Sequence, residues 1–217
     1  NISSINASIA QANANVTSIK GVITEKTQEL DKLTQNYHRS KSRLESLVNI
    51  TERYDGYGNS IRKIMELKDS NPGILGVIAD IIKVEKQYET AIETALGGTI
   101  QNIVTDKENT AKELINYLKV NKLGRATFLP LNAIHSRNTL ENDNCINEKG
   151  VVGVASNLVR VSFEYEGLAK YLLGRILVVD NIENALVIAR KYKYSLRIVT
   201  LEGEQLNPGG SMTGGGF

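Results

Sequence analysis

Gly73-Ile-Leu-Gly76-Val-Ile-Ala-Asp-Ile-Ile-Lys83-Val84 lines up, at an offset of 77 residues, with Gly150-Val-Val-Gly153-Val-Ala-Ser-Asn-Leu-Val-Arg160-Val161. Both glycine pairs match, Val77 falls on Val154, and Lys83 falls on Arg160. The same offset brings Tyr88 onto Tyr165, Leu96 onto Leu173 and Gly97 onto Gly174. After a three-residue deletion, Ile103-Val104-Thr105-Asp106 falls on Leu177-Val178-Val179-Asp180. With two more residues deleted, Arg125 falls on Arg197 and Leu129 on Leu201. No single match is strong, but their order holds along both halves.

Each half reads the same way. An apolar stretch of open type (74–84 and 151–162) precedes a helix (86–96 and 164–173). Then come a strand (101–105 and 176–179), a second helix (107–120 and 181–192) and a second strand (126–129 and 197–201). The strands are short and β-branched, and the helices carry apolar residues at i, i+3 and i+4 spacing. Asp106 and Asp180 stand where helix N-caps belong. The fold expected is mixed α+β: two tandem, similar α/β subdomains related by a pseudo-twofold, at 73–131 and 150–217. An Asn- and Asp-rich linker at 132–149 joins them. Exposed strand ends in a duplicated half invite pairing with a second copy, which would close a ring without leftover edges.

Working outward, a different periodicity fills the first quarter of the chain. Ile2, Ile5, Ile9, Ala12, Val16, Ile19, Ile23, Lys26, Leu30, Leu33, Tyr37, Ser40, Leu44, Leu47, Thr51 and Tyr54 recur in alternating steps of three and four. Only Lys26, Ser40 and Thr51 interrupt the apolar run, which is the a/d seam of a coiled coil. One long helix folded onto a globular core is the alternative, but such helices carry a wider stripe. The arm is placed at 1–54, with a connecting helix and turns at 55–72 marked by Asp55-Gly56-Tyr57-Gly58 and Asn71-Pro72-Gly73. No second heptad stretch of that length follows, so the seam needs a helix from another molecule or from a returning segment beyond Phe217. The two ends read as those of a segment of a larger protein.

Bulk properties exclude several classes. The 217 residues carry a net charge of +2, and outside the arm acidic and basic residues balance. A nucleic-acid partner must therefore be argued from local clusters. One cysteine, Cys145, excludes an internal disulfide framework and fits a reducing compartment. No apolar run reaches the roughly 20 residues of a membrane span, and no signal peptide is visible, so the expected location is cytoplasmic. No Cys/His/carboxylate cluster has metal-ligand spacing, and His135 with Cys145 is a poor catalytic pair. No cofactor and no catalytic residue are expected.

The most distinctive local feature is Asn207-Pro208-Gly209-Gly210-Ser211-Met212-Thr213-Gly214-Gly215-Gly216. It admits three readings: a flexible linker, a phosphate cradle, or a place where two backbones approach closely because no Cβ intervenes. It matches neither common phosphate-loop pattern. Two basic windows lack acidic residues. One holds Lys119, Lys122, Arg125 and Arg137, the other Arg190, Lys191, Lys193 and Arg197, with Tyr117, Tyr192 and Tyr194 interleaved. Cations beside aromatics suit phosphate contact and base stacking, while a solvated helix face is the plainer reading.

Taken together, the heptad arm, the duplicated head, Leu96-Gly97-Gly98-Thr99-Ile100-Gln101-Asn102-Ile103-Val104, Leu123-Gly124-Arg125-Ala126-Thr127-Phe128-Leu129-Pro130-Leu131 and the closing glycine motif resemble the hinge of bacterial structural maintenance of chromosomes (SMC) proteins. The resemblance covers about residues 70–217. It implies a doughnut-shaped homodimer in which each subdomain meets the opposite one of the partner. Gly209, Gly210, Ser211, Met212, Thr213, Gly214 and Gly215 would lie at that contact. It also implies weak, non-specific DNA binding, an antiparallel helix from beyond Phe217 as the arm's partner, and ATPase activity only in distant parts of a chromosome condensation and segregation protein.

Overall fold

A computed structural model describes residues 1–136 and 138–216. The chain divides into two units, Asn1–Arg53 and Tyr54–Phe217.

The first unit is one helix, α1 (Ile2–Arg53), of 52 residues. At 1.5 Å per residue it is about 80 Å long. The heptad residues are exposed along it: Ile5, Ile9, Ile23, Leu30 and Leu33 all present more than half of their surface. Thr17, Thr24, Thr27 and Thr51 satisfy their hydroxyls on the carbonyls four residues back, so these hydroxyls need no outside partner.

The second unit begins with Tyr54, which is buried, meets the Tyr57 ring edge-on and donates its hydroxyl to Asp80. Helix α2 (Asn59–Met65) buries Ile61, Ile64 and Met65. Then the duplication appears. The apolar stretches resolve into strand, short helical turn, strand. These are β1 (Ile74–Val77), α3 (Ile78–Ile81) and β2 (Lys83–Val84), then β5 (Val151–Val154), a 3₁₀ turn and β6 (Val159–Arg160). Helix α4 (Glu89–Leu96) matches α6 (Glu166–Leu173), β3 (Ile103–Thr105) matches β7 (Ile176–Val179), and α5 (Glu108–Val120) matches α7 (Ile182–Lys191). Finally β4 (Phe128–Pro130) matches β8 (Arg197–Thr200), and a hairpin of β9 (Gln205–Leu206) and β10 (Met212–Thr213) follows in the second half alone.

In each half the opening strand runs antiparallel to the central one, β1 to β3 and β5 to β7, with the same bulge between Ile74 and Gly76 and between Val151 and Gly153. The central strand is parallel to the next, β3 to β4 and β7 to β8, joined by the crossover helix α5 or α7. The orders are β1-β3-β4 and β10-β9-β8-β7-β5. Strand alternation distributes the core. Val104, Ile176, Val178 and Val199 face a core shared by both halves with Ile92, Leu96, Leu168 and Leu173, while Leu177, Val179 and Ile198 face α7. The two halves are also sewn together by a small ribbon in which β2 pairs with β6, setting Lys83 against Arg160 and Val84 against Val159.

Register corrects the repeat alignment at its end. Val104 and Val178 hold equivalent places, opposite Gly76 and Gly153. Their parallel neighbours are Leu129 and Val199, an offset of 70 rather than 72. Arg125 and Arg197 are therefore not counterparts. The cause is the crossover helix, 13 residues in α5 and 10 in α7. The helix caps also sit one residue later than Asp106 and Asp180, at Lys107 and Asn181; the Asn181 side chain accepts from the Asn184 amide at 2.9 Å. Each aspartate instead holds the turn before its helix. Asp106 accepts from Thr110 at 2.5 Å, a bond that holds its carboxyl below the usual range, and Asp180 accepts from the Asn184 side chain at 2.9 Å. Gly73 and Gly150 are pressed against these aspartates, and their carbonyls accept the Asp106 and Asp180 amides at 3.0 and 2.8 Å. The connection between halves is packed rather than loose: Leu140 and Cys145 are buried in the core beneath α7.

Candidate pairing edge and basic patches

The glycine cluster folds into the turn of the last hairpin. Gly209 and Gly210 have φ of +91° and +101°, which only glycine adopts readily. The turn is closed by three bonds. Asn207 donates its amide to the Ser211 carbonyl at 2.8 Å, Gly210 donates to the Asn207 carbonyl at 3.0 Å, and Gly209 donates to the Tyr194 carbonyl at 2.8 Å. Beyond the turn, Met212 and Thr213 pair with Leu206 and Gln205 on one side only. All of 208–216 is exposed, Met212 to 51%. A defined strand, rather than a linker, thus presents an open sheet edge with an exposed apolar side chain. The turn also uses two of the amides that a phosphate cradle would need.

The basic residues divide into three kinds. Lys119, Lys122 and Arg125 are exposed at the C-terminal end of α5 and the loop after it. Arg190 and Lys193 are exposed at the equivalent end of α7. Both helices finish in the same cap: the Leu123 amide reaches the Leu118 carbonyl at 3.0 Å, and the Tyr194 amide reaches Ala189 at 2.8 Å. A lysine occupies the left-handed position of each, Lys122 at φ +52° and Lys193 at +55°. Glycine usually stands there, and a side chain costs on the order of 1 kcal/mol.

Lys191 and Arg197 are engaged elsewhere. Lys191 pairs with Glu148 at 2.5 Å, and Tyr192 donates to the same oxygen at 3.0 Å. These bonds hold the Glu148 carboxyl below its usual range, and Glu148 raises Lys191. Burial, then the Glu148 bond, pushes the Tyr192 hydroxyl up. The window around Lys191 contains no acid in sequence, yet the connecting segment brings one to it. Arg197 is half-buried and donates to the Ala95 carbonyl at 3.3 Å; with its amide oxygen turned inward, Gln205 accepts from Arg197 at 3.1 Å. It ties β8 to the end of α4. Arg137 lies outside the described residues. His135 is exposed whereas Cys145 is buried, and burial raises the thiol further from ionisation. Among the described residues no group of His, Cys, Asp and Glu could hold a metal ion, and no helix is long and apolar enough to cross a membrane.

The family model described as the SMC proteins flexible hinge domain matches residues 71–189. The chain belongs to the SMC hinge family. Its segment 71–189 spans the first strand of the three-stranded sheet through most of α7, so the family pattern covers both halves of the duplication. A chromosome partition protein Smc of Clostridium kluyveri is 37% identical over 220 residues, covering 99% of this chain and 19% of that protein. The chain thus spans about a fifth of the length of the curated relatives it matches. The hinge of Geobacillus stearothermophilus SMC, solved as an asymmetric dimer, superposes with a TM-score of 0.72 at 39% identity over 84% of this chain and 76% of that one. The Pyrococcus furiosus Smc hinge with an extended coiled coil covers all of this chain, and 76% of its own, at a TM-score of 0.61 and 32% identity.

Proposed function

We propose that this hinge joins two copies of its chain, and through them two coiled-coil arms, in a protein of chromosome condensation and segregation. The observation that carries the reading is the open edge at β10, exposed and preceded by a turn that only glycines can make. The three-stranded sheet of the first half ends in another open edge, β4. Strand addition satisfies such edges. Setting β10 of one copy on β4 of the other uses two symmetric contacts and leaves a closed ring. Gly209, Gly210, Ser211, Met212, Thr213, Gly214 and Gly215 then form the interface. The Geobacillus stearothermophilus relative, solved as a dimer, supports pairing of two copies.

The exposed seam of α1 takes an antiparallel helix from beyond Phe217. ATP hydrolysis belongs to distant parts of the whole protein, which works in the cytoplasm on the chromosome; the hinge needs no cofactor. DNA contact is non-specific, through Lys119, Lys122 and Arg125 and through Arg190 and Lys193, whose cations are free to meet phosphates.

Light scattering tests the pairing. The expected mass is twice the chain's 23.9 kDa, falling to one chain in Met212→Asp. A parent chain that remains a monomer at tens of micromolar sinks the reading. For DNA, Lys119→Glu, Lys122→Glu and Arg125→Glu together should cut affinity for a single-stranded oligonucleotide at low salt and lower the salt slope by about 2. Unchanged affinity removes that surface.

A further inference from the structure

The ends of α5 and α7 share a cap and then part. After Lys122 the left-handed run stops, and the next positive φ is at Gly124. After Lys193 it continues: Tyr194 has φ +54°. A side chain in this conformation is disfavoured, and two in succession are more so. Nothing in the cap itself asks for the second one, because the α5 cap closes without it.

What the second left-handed residue achieves lies in the glycine turn. It aims the Tyr194 carbonyl at the Gly209 amide, 2.8 Å away. The Tyr194 ring lies beneath Gly210, where an added Cβ would stand 3.7 Å from it. The first half has no such hairpin and no such strained residue. Within one molecule, therefore, the strain occurs where there is a turn to hold and is missing from the equivalent place where there is none.

We propose that Tyr194 is the positioning residue of the pairing edge. Its left-handed backbone pins Gly209, and so fixes how β10 is offered to the second copy. The cap of α7 then sets pairing strength although it lies outside the glycine motif. This rests on the pairing role assigned to β10 above.

Replacing Tyr194 by Gly, Asn, Ala and Val tests it, since all four lose the ring and differ in tolerance of the left-handed region. Dimer dissociation constants come from sedimentation equilibrium of the whole chain, and Gly209 protection from amide exchange. Tyr194→Asn should pair within about threefold of Tyr194→Gly, and Tyr194→Val about tenfold more weakly, with Ala between. Gly209 protection should fall in the same order. Should Tyr194→Val not fold, Ala against Asn carries the same comparison. Equal pairing across the series, or Asn as weak as Ala, overturns the proposal. A parent that never dimerises overturns the pairing reading instead, and Gly209 exchange in the monomer still reports whether Tyr194 holds the turn.

Discussion

The two halves of the head are built on one plan and differ in what they do with their last strand. Both have the bulge, the aspartate turn and the lysine-terminated crossover helix. The first half stops at β4, half-buried and ending at Pro130, which cannot donate to a neighbour. The second half goes on to β9 and β10 and shortens its crossover helix by three residues. The shared features are those that a half needs to fold; the unshared ones gather at the edge where it can meet another chain. The halves agree in the core and differ at the rim.

Breaking equivalent residues in the two halves measures how far that equivalence extends. The largest effect is expected at the paired glycines. An alanine Cβ at Gly150 would stand 2.5 Å from Asp180 and Asn184, at φ +89°; at Gly73 it would stand 2.8 Å from Thr110, with no left-handed strain. Gly150→Ala should cost about 3 to 4 kcal/mol and Gly73→Ala about 1 to 3, measured by urea unfolding. Equal costs would show that the aspartate turn, not the backbone angle, sets the penalty. Next come the repeat mates Ile103→Ala and Leu177→Ala, both fully buried, each expected to lose about 3 kcal/mol. A large difference between them would mean that the halves unfold separately. Arg197→Ala should lose about 1 to 2 kcal/mol by leaving the Ala95 carbonyl short of a partner, while oligonucleotide affinity stays unchanged. The smallest effect is electrostatic. Because Glu148 and Asp106 are held low, the folded state binds protons more weakly there than the unfolded chain does. Their contributions are complete above the ordinary carboxylate range and fade as pH falls below about 5. Glu148→Gln should flatten that acid limb in thermal melts, and should raise oligonucleotide affinity by releasing Lys191.

Much of this was legible in the sequence, for identifiable reasons. The heptad shows because a seam repeats for over seven turns of the pattern. The duplication shows because Gly76, Gly150 and Gly153 take backbone angles that favour glycine, and Gly73 leaves no room for a Cβ beside Thr110 and Asp106. Other features left no such trace. The β2–β6 ribbon is two residues on each side, too short for alternation to register. The offset of β8 was masked by two arginines, Arg125 and Arg197, that invite alignment although one is exposed and the other clamps a helix end. Glu148 neutralises Lys191 from 43 residues away, which no scan along the chain detects. The β9–β10 hairpin hides in a stretch whose glycines mask any strand periodicity, and its tie to Tyr194 follows from a backbone angle that composition does not encode.

The β2–β6 ribbon has a further meaning. Lys83 and Arg160 are repeat mates, and they face each other in the ribbon. A strand that pairs antiparallel with its own copy is what a half-length protein would use to recognise itself. Within the head, then, the two halves meet through equivalent residues, so the pseudo-twofold passes through this ribbon.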